Sequence, residues 1–140
     1  MKYRVLHAEG VVGPVTFTPP ENQNWYVLHG HSILTTVAGG LSRRWYCTVL
    51  DPDGHVITDV HAGASQPASN VYHYSVKQGI FRETVFIDND IEIPLASNLI
   101  VPTGGSIVVQ DSAGIDIAND TYEVHFAVIE GNLNSILSLI

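Results

Sequence analysis

Hydrophobic and polar residues alternate with a period of two through most of the chain. Between residues 43 and 50, Trp45, Cys47 and Val49 fall on one side of an extended backbone, with Arg44, Tyr46, Thr48 and Leu50 on the other. Asp51-Pro52-Asp53-Gly54 follows. There the proline sets φ, the Asp side chains can bond nearby backbone N–H groups, and the glycine accepts positive φ. Residues 43–60 therefore predict a hairpin, and the rest of the chain is organised around it. Residues 70–76 set Val71, His73 and Ser75 against Tyr72, Tyr74 and Val76, with the aromatic side inward. Residues 121–130 set Tyr122, Val124, Phe126 and Val128 on a core side against Thr121, Glu123, His125 and Ala127.

The remaining elements are shorter. Residues 3–9 and 11–17 read as edge strands or an arm, because Pro14, Pro19 and Pro20 cannot donate ladder hydrogen bonds. Residues 18–24 form a loop. A strand begins at residues 25–29, residues 32–37 suit a pleated surface, and Gly39-Gly40 ends that run. Residues 61–70 and 77–81 turn the chain, 84–87 form a short strand, and Asp88-Asn89-Asp90 turns into 91–94. Residues 99–101 lead to a turn at 102–105, 106–110 return as a strand, and 111–119 form a loop.

No segment carries the helical i, i+3, i+4, i+7 spacing over 11 or more residues, while turn signals recur at roughly 8–12-residue spacing. The expectation is an all-β, single-domain antiparallel β-sandwich of the jelly-roll type. An immunoglobulin-like sandwich is the alternative, without its Cys…Trp…Cys spacing. The expected organisation is an N-terminal arm and loop over 1–24, the sandwich over 25–131, and an apolar tail over 132–140. That tail, N-L-N-S-I-L-S-L-I, concentrates Leu133, Ile136, Leu137, Leu139 and Ile140. It would either meet a partner, as an added strand or as a short helix in a groove, or pack on its own domain.

Composition narrows the classes. A length of 140 residues fits one domain with a real core. With 45 % hydrophobic and only 14 % charged residues, part of the apolar surface is expected to face another chain in a symmetric homo-oligomer, a trimer by expectation. The net charge of −8, with six Lys and Arg, argues against nucleic-acid binding, which needs clustered cations. The lone Cys47 allows no intrachain disulfide. No apolar run approaches the roughly 20 residues that span a bilayer, so no membrane partner is expected, and the N-terminus lacks an apolar leader.

Candidate chemistry is sparse. His29-Gly30-His31 places two imidazoles on one face of a strand, as metal sites in small β-barrels do. It resembles the opening of the cupin motif, but Ser32-Ile33-Leu34-Thr35 follows where cupins bring a Glu. Strand-surface histidines bonded to water are the plainer reading. Asp51-x-Asp53-Gly54 is similar to the start of a calcium loop, but Ala62 stands at the twelfth position, where a bidentate Glu is required. Asp88, Asp90, Glu92, Asp116 and Asp120 would converge on a cation only if their turns shared one end of the fold. Cys47, flanked by Tyr46 and Thr48, is poorly placed for an activated thiolate, and no nucleophile elbow or phosphate-binding glycine motif occurs. Trp25, Tyr26 and Tyr72 could stack on sugars if exposed.

One rhythm is familiar: Trp25-Tyr26-Val27, S-I-L-T-T, R-R-W-Y-C-T-V-L-D-P-D-G, S-Q-P-A-S, L-I-V-P-T-G-G-S-I-V-V and N-D-T-Y-E-V-H-F-A-V-I-E. Across residues 25–130 it resembles small jelly-roll virion proteins of tailed bacteriophages, of the capsid decoration (cement) or head-tail associated kind. The resemblance implies a non-enzymatic structural protein without cofactor or metal, made in the host cytoplasm and carried in the virion. Its partners would be itself and the major capsid protein or other virion proteins. The alternatives are a carbohydrate-binding or host-recognition sandwich and a cupin-like metal-binding enzyme built on His29 and His31.

Overall fold

A computed structural model describes residues 1–38, 42–63, 65–79, 83–85, 89–112 and 120–140. The strands are β1 (Lys2–Val12), β2 (Val15–Phe17), β3 (Asn24–Thr35), β4 (Arg44–Leu50), β5 (Val56–His61), β6 (Val71–Lys77), β7 (Thr84–Val85), β8 (Asp90–Pro94), β9 (Ile100–Val101), β10 (Ser106–Ser112) and β11 (Thr121–Gly131). A short helix, α1 (Leu133–Leu137), follows them.

The predicted hairpin is the tip of the whole architecture. Gly54, at φ +83°, donates its N–H to the Asp51 carbonyl, and Asp51 Oδ1 accepts from the N–H groups of Asp53 and His55. From this tip the chain runs back as one long antiparallel ribbon that pairs β4 with β5, β3 with β6, β2 with β10 and β1 with β11. Rolling the ribbon brings β11 beside β3 and β10 beside β4. The result is two sheets, β1-β11-β3-β6-β8-β7 with β9 beside β3, and β2-β10-β4-β5. Among the eight ribbon strands, counted in chain order, the sheets read 1-8-3-6 and 2-7-4-5, the order of a jelly roll. One pairing departs from antiparallel: β8 runs parallel to β6.

The N-terminal residues correct the expected division of the chain. Of the two readings of residues 3–9 and 11–17, edge strands or an arm, the edge strands hold: β1 is the outermost strand of the large sheet, and β2 edges the small one. Leu6 and Val15 bury in the common core, which detaching an arm would expose. Residues 24–35, read as two runs, form one strand, because Gly30 continues the ladder opposite Phe126 and Val76. The tail is helical, with Asn132 Oδ1 capping the Ser135 N–H. Gly39-Gly40, Asp88, Asp116 and most of the 77–81, 84–87 and 111–119 readings fall on or across residues outside those described.

Between the sheets, Trp45 of β4 stacks on Tyr74 of β6 at 5.1 Å and donates its Nε1–H to Ser32 of β3. Phe17 meets Phe126 edge-on at 6.3 Å. At one end of the sandwich, Arg43 and Asp120, both 1 % exposed, form a bidentate pair of 2.8 and 3.1 Å, and Asp120 also accepts the Val37 N–H. Gln66 joins this end by accepting from Tyr74 and donating to the Leu34 carbonyl. At the other end the buried Glu130 accepts from Trp25 and Arg4. Burial alone would raise its affinity for a proton, but these bonds and the nearby Lys2 hold the carboxyl below its usual range.

Two consequences are measurable. A Cβ on Gly30 would stand 2.4 Å from Phe126 Cε1, so Gly30→Ala should destabilise the fold by about 1–3 kcal/mol through overpacking. Chemical denaturation checks this, and Phe126→Leu in the same chain should recover part of the loss. Asp111 is buried and accepts from Tyr122, while its Oδ2 has no hydrogen-bond partner among the described residues. Burial pushes its carboxyl up from 3.8, and the neighbouring Asp120 adds to that rise against the Tyr122 bond. A raised acid favours the folded state below its unfolded value and loses that contribution as pH rises through its folded value. Asp111→Asn should therefore be more stable than the parent at pH 8, with the gap closing toward pH 4, in paired melting curves.

Candidate functional site

The residues with unspent chemistry lie on two surfaces of the large sheet. The first is its solvent face. Because Gly30 points inward beneath Phe126, its neighbours His29 and His31 point outward. On the adjoining strands the outward positions carry His7, His125 and His73. Strand register places His7 opposite His125 and His125 opposite His31, so three imidazoles cross β1, β11 and β3 in one row. His73 of β6 joins diagonally, with its Nδ1 3.3 Å from His31 Nε2. Five of the seven histidines in the chain thus share this face.

The row is ordered by its own contacts. His7 and His125 stack at 4.3 Å with 17° between planes, and His125 Nε2 lies 3.0 Å from Glu123 Oε1. His31 Nδ1 meets Ser75 Oγ at 3.2 Å, which turns its Nε2 toward His73. Burial, followed by the neighbouring His73 and His125, pushes the His31 proton affinity below the ordinary 6.5. Carboxylates border the row: Glu9 lies 3.8 Å from His7, and Asp90 and Glu92 occupy β8 beside His73 and Ser75. Lys77 is bound to Glu92 at 3.0 Å.

The second surface is the tail. Ile136 is fully buried, whereas Leu133, Leu137, Leu139 and Ile140 are 50, 49, 39 and 62 % exposed. Ile136 therefore fastens the helix, and the other four side chains stay partly exposed. Of the two sequence alternatives, packing on its own domain is met at Ile136, the one apolar side chain of the tail that is fully buried. A Cβ on Gly131 would meet Met1 Cγ at 3.4 Å and Ser135 Cβ at 3.5 Å, so the start of β1 and the helix converge there. Met1, Tyr3 and Val5, all more than half exposed, extend apolar surface along the edge strand.

Other candidates resolve into structure. Trp25 is buried against Glu130 and cannot serve as a sugar platform, while Tyr26 and Tyr72 are half-buried. Cys47 is a core thiol pushed up to about 12, first by burial and then by Asp59. Asp120 sits inside against Arg43, away from the outward Asp90 and Glu92, so these carboxylates do not converge. Asp51, Asp53 and His55 cluster at the hairpin tip, where Asp51 is already engaged by backbone N–H groups. The H-x-H motif puts His29 and His31 on one face of a strand, as the structure has them, but the neighbours His7, His73 and His125 come from strands whose pairing no local signal reveals. Their outward parity was the only trace in sequence. Among the described residues no helix is long and apolar enough to cross a membrane. No family model, curated protein or solved structure matches the chain.

The crowding of His31 has a direct readout. By NMR titration it should protonate below 6.5, and His73→Asn should raise its value part of the way, leaving the contribution of burial. A histidine depressed in the folded state contributes stability above its unfolded value and loses it as pH falls through its folded one. The parent should accordingly lose more stability than His31→Asn on going from pH 7.5 to pH 5.

Proposed function

We propose that the protein is a non-enzymatic structural subunit of a tailed-bacteriophage particle, a capsid decoration or head-tail protein that associates with itself and docks on other virion proteins. The observation that carries this reading is the tail: a short helix held by Ile136, and the residues after it, leave Leu133, Leu137, Leu139 and Ile140 partly exposed beside Met1. Fully burying an exposed side chain of this size is worth about 1.5–3 kcal/mol, and covering the remaining exposed half of each of the four favours association. Contiguous apolar surface of this kind marks protein–protein contact. The jelly roll supports the reading as a scaffold common among capsid proteins, although a fold alone assigns no function. The sequence rhythm of residues 25–130 adds the resemblance to phage virion proteins.

The test separates association from folding. Leu133→Ser, Leu137→Ser and Leu139→Ser together remove exposed apolar surface and leave the Ile136 anchor in place. The parent should sediment as a symmetric oligomer, a trimer on this reading, and co-sediment with capsids. The triple variant should shift toward monomer or lose capsid attachment by at least about tenfold, with unchanged circular dichroism and melting temperature. A parent that is monomeric at micromolar concentration and indifferent to capsids would overturn the proposal.

A further inference from the structure

We propose that the solvent face of the large sheet carries a binding site for a divalent transition-metal ion of the Zn2+ type, held by His7, Glu123 and His125. These residues each bring one donor atom to within 4.8 Å of the others. The strands deliver them by register: His7 on β1 is paired directly with His125 on β11, and Glu123 lies two residues before His125 on the same outward face. The donor set is two imidazoles and one carboxylate, a combination that zinc accepts with a fourth position left open. Zn–N and Zn–O bonds of about 2.0–2.2 Å place donors roughly 3.3–3.5 Å apart in a tetrahedron. His125 Nε2 and Glu123 Oε1, at 3.0 Å, are already close to that separation. His7, stacked on His125 with 17° between ring planes, must leave the stack and turn its ring toward Glu123, which rotation of its partly exposed side chain allows.

The surroundings suit a cation. His31, directly opposite His125, extends the imidazole row, and its 3.3 Å approach to His73 adds a second pair of ring nitrogens at tetrahedral spacing. Glu9 lies beside His7, and the chain as a whole carries −8. The other three-residue cluster, Asp51, Asp53 and His55, competes poorly because two backbone N–H groups already occupy Asp51 Oδ1. The ion needs the ring nitrogens and the carboxylate free of protons, so uptake weakens as pH falls.

Calorimetric titration of the full-length, untagged chain with Zn2+ after chelator treatment tests the site. The expected result is saturation at one ion per chain, with no comparable response to Mg2+. His7→Ala and His125→Ala should each weaken binding by about tenfold or more, Glu123→Gln should weaken it as well, and His55→Ala should leave it unchanged. Because His7 stands on the outermost strand and is partly exposed, its removal should spare the fold, as circular dichroism would verify. Co2+ gives an independent reading: the parent should develop the visible absorption of a tetrahedral nitrogen–oxygen site, and His125→Ala should lack it. Absence of saturable Zn2+ binding would overturn the proposal. So would binding that survives both histidine substitutions or is lost with His55→Ala alone.

Discussion

The buried pair of Arg43 and Asp120 fixes how the two sheets meet. Arg43 introduces β4 of the small sheet and Asp120 introduces β11 of the large one, and both are almost completely withdrawn from water. Such charges are tolerated only when geometry and extra hydrogen bonds answer their desolvation, and here the contact is bidentate with a further bond from the Val37 backbone. Losing one partner would strand the other as an unpaired buried charge. The two strands are thereby held in one relative position, and Gln66, Tyr74, Trp45 and Ser32 complete a polar thread through an otherwise apolar layer. Glu130 closes the opposite end by tying β11 to β1 and β3.

How much of this is legible in sequence follows from the range of each interaction. The 51–54 turn and the alternation of Trp45, Cys47 and Val49 are local, and they read correctly. So do the core faces of β6 and β11, since parity along a strand needs no partner. The place of β1 is not legible: its ladder joins residues near the two ends of the chain, and nothing in residues 2–12 states that β11 awaits them. The Arg43–Asp120 pair is hidden for the same reason. Sequence shows one arginine before a strand and one aspartate in a turn-rich stretch.

The candidate surfaces divide similarly. Five apolar residues in nine mark the tail as a segment that seeks burial, yet one turn of helix is too short for periodicity to single out Ile136 as the anchor. The H-G-H motif shows two outward histidines, but its central glycine proves equally informative. Gly30 lies under the Phe126 ring, so the close approach of that ring and the outward pose of its neighbours are one geometric fact. The rest of the histidine row exists only because four strands from separate parts of the chain settle in one register.

Strand β1 belongs to both surfaces while resting on a single ladder neighbour, β11. It contributes His7 to the imidazole row, and Met1, Tyr3 and Val5 to the apolar margin beside the tail. An edge strand with one neighbour is where local opening is least costly, and any ligand that grips its docked state shifts that opening equilibrium. A ligand held at the row and a partner held at the margin would therefore draw on the same population of docked β1. Two such ligands would be reciprocally coupled, with the free energy of peeling one strand as the ceiling on the coupling.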